Sequence, residues 1–296
     1  MVAHQLITLA DLGKDDAWLL VQQACGIPDP KARSHFMDNT TAVLLFAEEA
    51  YPDRLCVTAA IRQMGGSTIY VSPGAWKSAA NYFPKEINEI TEFYTDCVCC
   101  SGMLTHMLRG GPEENRIPLL NVGGDDARPM HALADIACVY QLNNRELEGQ
   151  RLAWIGRATG TLHSLIEGMA YFPYTMNVCL PDINTEHPDL REKITAAGDK
   201  VRMFDSPEGA VEGAQFVCVG KRDKNMPVTD ILRWQITPDL MRHAADGAHI
   251  LLGASPWRCI RIEDSLLKSS ASLLNKQSEH RLRVTKRMLH WLYGLN

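Results

Sequence analysis

A chain of 296 residues has length for roughly two domains, each with its own core. Its formal net charge of −5 argues against a nucleic-acid or anionic-membrane surface. A hydrophobic fraction of 46% and a charged fraction of 22% are those of a globular chain, and no apolar run approaches the roughly 20 residues of a membrane span.

The N-terminal stretch M-V-A-H-Q-L-I-T-L-A-D-L lacks a basic region followed by a long apolar core, so no signal peptide is expected. Nine cysteines is an odd number, and several sit inside apolar runs. Without an export signal they read as reduced thiols in a cytoplasmic protein.

Residues 6–24 read as a loop and then an amphipathic helix. Residues 41–46 form an apolar run, a buried strand. A helix follows, with Leu55, Ala59, Ile61 and Arg62 on a helical period. Pro52 suits its first turn, and Gly65 and Gly66 end it. A strand that feeds a helix N-terminus aims free N–H groups at whatever sits there, which is a ready anion site. Strands are expected at 67–72, 96–101 and 117–122, and helices at 84–94 and 103–109. Residues 73–81 read as a polar loop. Residues 128–141 read as a helix with Pro129 at its start and Leu133, Ile136 and Tyr140 as its apolar face. The second half alternates strands (151–156, 176–181, 200–205, 216–219, 249–252) with helices (161–171, 188–197, 207–214, 238–244). Such a βαβ series predicts a mostly parallel sheet with helices on both faces. Residues 277–294 read as a long basic helix. No internal repeat or low-complexity segment is present.

The stretch from Phe46 through Arg54 to Met64, Gly65 and Gly66 resembles the phosphate-binding segment of the aspartate/ornithine carbamoyltransferases, F-x-x-S-T-R-T-R and then a helix ending in L-G-G. Thr8 to Leu12 is similar to the family's opening s-L-x-D-L. Pro129, Leu133, Ala134 and Asp135 match its H-P-x-Q-x-L-A-D, and L-E-G-Q-R-L-A-W-I-G with H-S-L at 163–165 follows it closely. The resemblance covers nearly the whole chain. It implies two Rossmann-like α/β domains with parallel sheets, the carbamoyltransferase fold. Residues 1–143 would be the carbamoyl-phosphate-like domain, with helix 278–296 packing back on it, and 144–277 the amino-acid-like domain. It also implies a homotrimer, in which the loop carrying Lys77 enters a neighbour's active site. Trp76 in that loop hints at a buried partner surface.

The mismatches fall on the chemistry. Where the family has Ser-Thr-Arg-Thr, this chain has Ala50, Tyr51, Pro52 and Asp53, with Glu48 and Glu49 just before. Holding a dianion needs donors and cations. Here an acid takes the field that phosphate would use, or the acids simply cap a solvated turn. Arg54 matches the last Arg of the motif, and a buried ion pair is its expected role. At the family's carbonyl-binding positions stand Cys100, Arg128 and His131. If they share one cleft, Cys100 is an activated thiolate; otherwise Cys100 fills core and His131 is a satisfied donor at a helix start. Cys97 and Cys99 share one strand face and Cys100 takes the other, too close on one strand for a usual zinc set, so no metal is expected. At the second-substrate site the run at 253–258 keeps only Pro256, followed by Trp257 and Arg258. Lys221 and Arg222 hold a carboxylate there, or belong to a solvated turn. Gly156 and Gly160 with Asp182 lack dinucleotide spacing, so no cofactor is implied.

The resulting expectation is a diverged carbamoyltransferase-fold protein without carbamoyl-phosphate binding. It is either a non-catalytic homologue or partner subunit (a pseudoenzyme), or a member with a re-used cleft. The alternative is a transferase acting on an amino-acid-like amine from an altered donor, with Arg128, His131 and Arg54 as oxyanion contacts. Expected partners are copies of itself, an amino-acid-like ligand and a possible hetero-subunit, with neither nucleic acid nor membrane.

Overall fold

The computed structural model describes residues 4–74, 93–109, 117–181, 188–222, 233–254 and 259–294. Two compact units divide the chain, residues 1–137 with 279–296 and residues 138–278.

In the first unit, strands β1 (Gln5–Leu6), β2 (Thr41–Phe46), β3 (Ser67–Val71), β4 (Cys97–Ser101) and β5 (Leu119–Gly123) form one sheet in the order β1-β5-β4-β2-β3. Every pairing is parallel. A-V-L-L-F and C-V-C-C are continuous apolar runs, because both faces of a parallel sheet are covered. Helix α1 (Lys14–Cys25) precedes β2, and α2 (Tyr51–Gln63) follows it. Gly65, at φ +96°, turns the chain out of α2. Helix α3 (Thr105–Arg109) follows β4, and Asp126 accepts from its Thr105 backbone N–H at 2.9 Å. Helix α4 (Pro129–Leu142) follows β5 and is buried from Pro129 to Tyr140 on every side, not along one apolar face.

The registers set the site. Phe46 pairs with Ser101, and Ser101 with Gly123, so the carboxyl ends of β2, β4 and β5 stand side by side. The first turns of α2 and α4 follow β2 and β5 out of that same edge. Gly102, at φ +89°, leads the chain away from Ser101; a Cβ there would come within 2.5 Å of the Ala47 side chain.

In the second unit, β6 (Arg151–Ile155), β7 (Thr175–Cys179), β8 (Val201–Met203), β9 (Phe216–Val219) and β10 (His249–Leu252) form a parallel sheet in the order β10-β9-β6-β7-β8. Helices α5 (Gly160–Gly168), α6 (Asp189–Ala197), α7 (Pro207–Val211), α8 (Pro238–Met241) and α9 (Asp264–Leu267) accompany it. Trp154 lies in the room left by Gly220 and Gly253, and its Nε1 donates to the Gly156 carbonyl at 3.0 Å.

Helix α10 (Leu274–Leu292) ends in the first unit. There Lys286 Nζ donates to the carbonyls of Pro30 at 2.9 Å and Ala32 at 2.7 Å.

Three readings change. Leu55 lies outside the buried face of α2, 64% exposed; Asp53, Val57, Ala60 and Ile61 form that face instead. Strand β1 and helix α9 had no sequence signal, being too short for periodicity to register. The expected helix at 84–94 lies almost wholly outside the described residues.

Candidate functional site

Asp53 is the third residue of α2, and His131 is the third residue of α4. The two helix starts bring them together: His131 Nε2 lies 2.8 Å from Asp53 Oδ1. Both are buried, at 5% and 6% exposure. Ser101, at the end of β4, donates its hydroxyl to the Gly123 carbonyl at 3.0 Å and stands 3.4 Å from Asp53 Oδ2. Arg128 lies against Gly123, where a Cβ would crowd its side chain, and its Nε donates to the Gly124 carbonyl at 3.2 Å.

The electrostatics assign the proton. Burial alone would push the Asp53 carboxyl up, but His131 and the guanidiniums of Arg128 and Arg281 override it and hold it well below the usual carboxylate range. Burial pulls His131 down to about 4 against the attraction of Asp53, and Arg281 and Arg128 pull the same way. At neutral pH Asp53 is therefore an anion and His131 a neutral ring that donates its Nε2–H to the carboxylate. The arrangement can hold a proton acceptor in a fixed direction beside two cations.

Of the four positions that replace the phosphate-loop residues, only Asp53 reaches this cluster. Ala50 is buried as an apolar residue, Tyr51 is 44% exposed and Pro52 is half-buried. Glu48 and Glu49 are exposed in a short 3-10 turn ahead of α2. Arg54 is half-buried rather than buried. Its guanidinium stacks over the Tyr70 ring at 4.1 Å, because it projects from α2 toward β3 and away from Asp53.

Cys100 does not meet His131. It packs with Val43, Leu45, Val98 and Met103, and burial pushes its thiol far above the ordinary range. Alternation along β4 explains this: Val98 and Cys100 share one face, and Ser101 takes the other. An activated thiolate at Cys100 is thereby overturned. Ser101 and Arg281 were missed. Counting strand alternation from Cys99 reaches Ser101, whereas nothing local marks Arg281 among the basic residues of α10.

In the second unit, Lys221 is held by backbone bridges to Arg157 and Cys259, so it begins as ordered β-structure and not as a solvated turn. Arg222 beside it is exposed. Lys77, Trp76, Asp182, Pro256, Trp257 and Arg258 lie outside the described residues. Among the described residues no cluster of three or more His, Cys, Asp or Glu side chains is placed to hold a metal ion, and no helix is long and apolar enough to cross a membrane.

Two family models match the chain: the carbamoyl-P binding domain of aspartate/ornithine carbamoyltransferase over residues 4–141, and the Asp/Orn binding domain over residues 148–292. The chain belongs to the aspartate/ornithine carbamoyltransferase family. It is 24% identical over 292 residues to the ornithine carbamoyltransferase of Nitratidesulfovibrio vulgaris (strain DP4), covering 96% of this chain and 97% of the relative. The ornithine carbamoyltransferase of Chromohalobacter salexigens is also 24% identical, over 99% of this chain and 98% of its own length. Among solved structures, ornithine carbamoyltransferase from Thermus thermophilus superposes with a TM-score of 0.85 at 18% identity, covering 99% of both chains. Aspartate transcarbamoylase from Trypanosoma cruzi, in complex with carbamoyl aspartate and phosphate, gives 0.80 at 16%, over 97% of this chain and 95% of that one. These likenesses establish the two-sheet carbamoyltransferase fold.

Proposed function

We propose that this protein is a carbamoyltransferase-fold member that does not bind carbamoyl phosphate and has turned the first-unit site to another small ligand. The observation that carries the reading is the buried Asp53–His131 pair at the first turn of α2. A helix N-terminus favours one negative group, and here the chain supplies its own. A phosphate dianion placed there would face the Asp53 carboxylate at close range, in surroundings that screen it poorly. Calorimetry tests this: no binding of carbamoyl phosphate is expected at millimolar concentration, and sub-millimolar binding overturns the reading.

A re-used site is favoured over an inert remnant because the pair is costly to keep. Burying a carboxylate costs several kcal/mol unless partners offset it, and apolar residues would fill a disused site at lower cost. The reading as a transferase with an altered donor draws on Arg128, which stands beside the pair. Arg54 is turned toward Tyr70 and gives that reading no support.

The same reading includes an amino-acid-like ligand near Lys221 and Arg222, and assembly as a homotrimer. Support for assembly comes from the edge of the first sheet, where Ile69 and Tyr70 on β3 and Tyr51 and Leu55 on α2 are all at least 40% exposed.

A further inference from the structure

We propose that the groove between α5 and α6 of the second unit binds a small monocarboxylate with an apolar body. This site is separate from the Asp53–His131 pair and does not depend on the reading above.

The groove exists because small side chains stand where two helices pack. Ala170 follows α5 and Ala196 lies on α6, and a cavity of about 300 Å³ opens there. That is the lower end of the range for small-molecule pockets, about 300–1,000 Å³. Its floor is apolar, made by the buried side chains of Ile166 and Met169. Helix α5 leaves the carboxyl end of β6 and returns the chain to the start of β7. Its last turn therefore stands at the amino edge of the parallel sheet. Ligands of open α/β sheets ordinarily bind at the carboxyl edge, which is where Lys221 follows β9. Within the second unit the groove is thus a different site from the one at Lys221.

The ligand class comes from the rim. Among the described residues the charged side chains that line the groove are Glu167, Lys193 and Lys200. Lys193 Nζ and Glu167 Oε1 pair across the two helices at 3.2 Å. Lys200, in the 3-10 turn after α6, donates from Nζ to the Met169 carbonyl at 2.6 Å. That bond holds the ammonium at the groove wall. The carbonyl is neutral, and Lys200 has no carboxylate partner among the described residues. An ammonium has three donors, so two remain, and Lys200 is otherwise exposed, which keeps them reachable. A ligand carboxylate that accepts from them makes a charge-assisted bond. Its apolar body then covers the floor of Ile166 and Met169 and leaves water. A cationic ligand would instead meet two ammonium groups and one acid that already pairs with Lys193.

The test is methyl NMR of the native full chain, titrated at neutral pH with hexanoate and, as the probe of opposite charge, with hexylamine. Hexanoate should shift the methyl resonances of Ile166 and Met169 saturably, and hexylamine should leave them in place. Lys200→Gln keeps a donor for the Met169 carbonyl and removes the charge. It should weaken hexanoate about tenfold, the loss of one charge-assisted hydrogen bond. Ala196→Leu fills the groove from an exposed helical position, which leucine suits, and should abolish the shifts. Methyl resonances unmoved by millimolar hexanoate overturn the proposal. Equal shifts with hexylamine do so as well, and so does saturable binding that survives Ala196→Leu. Should Ala196→Leu fail to fold, Lys200→Gln decides, and an unchanged affinity there overturns the assignment.

Discussion

Asp53 Oδ1 and His131 Nε2 meet at 2.8 Å, joining the first turn of α2 to the first turn of α4. Three groups hold the Asp53 carboxylate: His131 on α4, Arg128 just ahead of that helix and Arg281 on α10. Removing one partner leaves a buried charge under-compensated. His131→Leu should therefore destabilise the protein by about 3–5 kcal/mol, the cost of breaking a buried pair. Adding Asp53→Leu should recover much of that loss, because no stranded carboxylate remains. Chemical denaturation of the two variants measures this, and additive losses would contradict the coupling.

Stability should fall in mild acid. His131 titrates at about 4 when folded and near its ordinary 6.5 when unfolded. Between those values the unfolded chain binds the extra proton, so stability rises with pH across the window and is lost as pH falls through it. The contribution is about 3 kcal/mol. Asp53 acts lower down: its stabilisation is present above its ordinary value of 3.8 and is lost only as pH falls below that. Denaturant midpoints from neutral pH downward should slope in the wild type and flatten in His131→Gln. A slope that survives the substitution would assign the acid sensitivity elsewhere.

Much of this architecture was legible in the sequence because parallel strands announce themselves. A-V-L-L-F and F-V-C-V are apolar from end to end, and turn residues bound the helices between them. The site was legible only in outline. His131 and Arg128 are marked by the family resemblance, which puts them at its carbonyl-binding positions, and Asp53 as the acid that replaces a phosphate-loop residue. Their pairing depends on two loops delivering two helices to one sheet edge, which no local pattern encodes. Cys100 went astray by one step of strand alternation. Arg281 comes from more than two hundred residues downstream and reaches Asp53 only through helix packing.

Cys100 should resist alkylation. Its thiol lies in an apolar cluster, and burial keeps it protonated. Iodoacetamide on the native protein should leave Cys100 unmodified until denaturant is added. Cys100→Ser should cost about 1–3 kcal/mol, because it buries a hydroxyl among apolar side chains. Selective labelling of Cys100 in the folded protein would contradict the placement.

Lys286 ties α10 to the turn at residues 28–32. Its ammonium donates to two carbonyls, Pro30 and Ala32, while the residue is only 6% exposed. Lys286→Met keeps most of the packing volume and strands both acceptors. A loss of about 1–3 kcal/mol follows, with faster proteolysis localised to that turn. Unchanged stability and unchanged cleavage would show that water replaces the ammonium at no cost.

The exposed edge of the first sheet makes the last prediction. Strand β3 pairs with β2 on one side, and on its other side no strand is paired among the described residues. Its Ile69 and Tyr70 are 47% and 40% exposed, and Leu55 on α2 is 64% exposed. Arg54 stacks on Tyr70 and so fixes α2 against β3 as one surface. An apolar edge strand left in water is an association hazard, and proteins relieve it by covering the edge. Covering each large apolar side chain is worth about 1.5–3 kcal/mol. The wild type should therefore run as an oligomer by light scattering, with the mass of three chains if the family resemblance extends to assembly. Leu55→Asp with Tyr70→Asp places charges inside that surface and should release monomers that keep their helical content. A monomeric wild type at micromolar concentration would remove the basis for this, and a double variant that stays assembled would move the interface to another face.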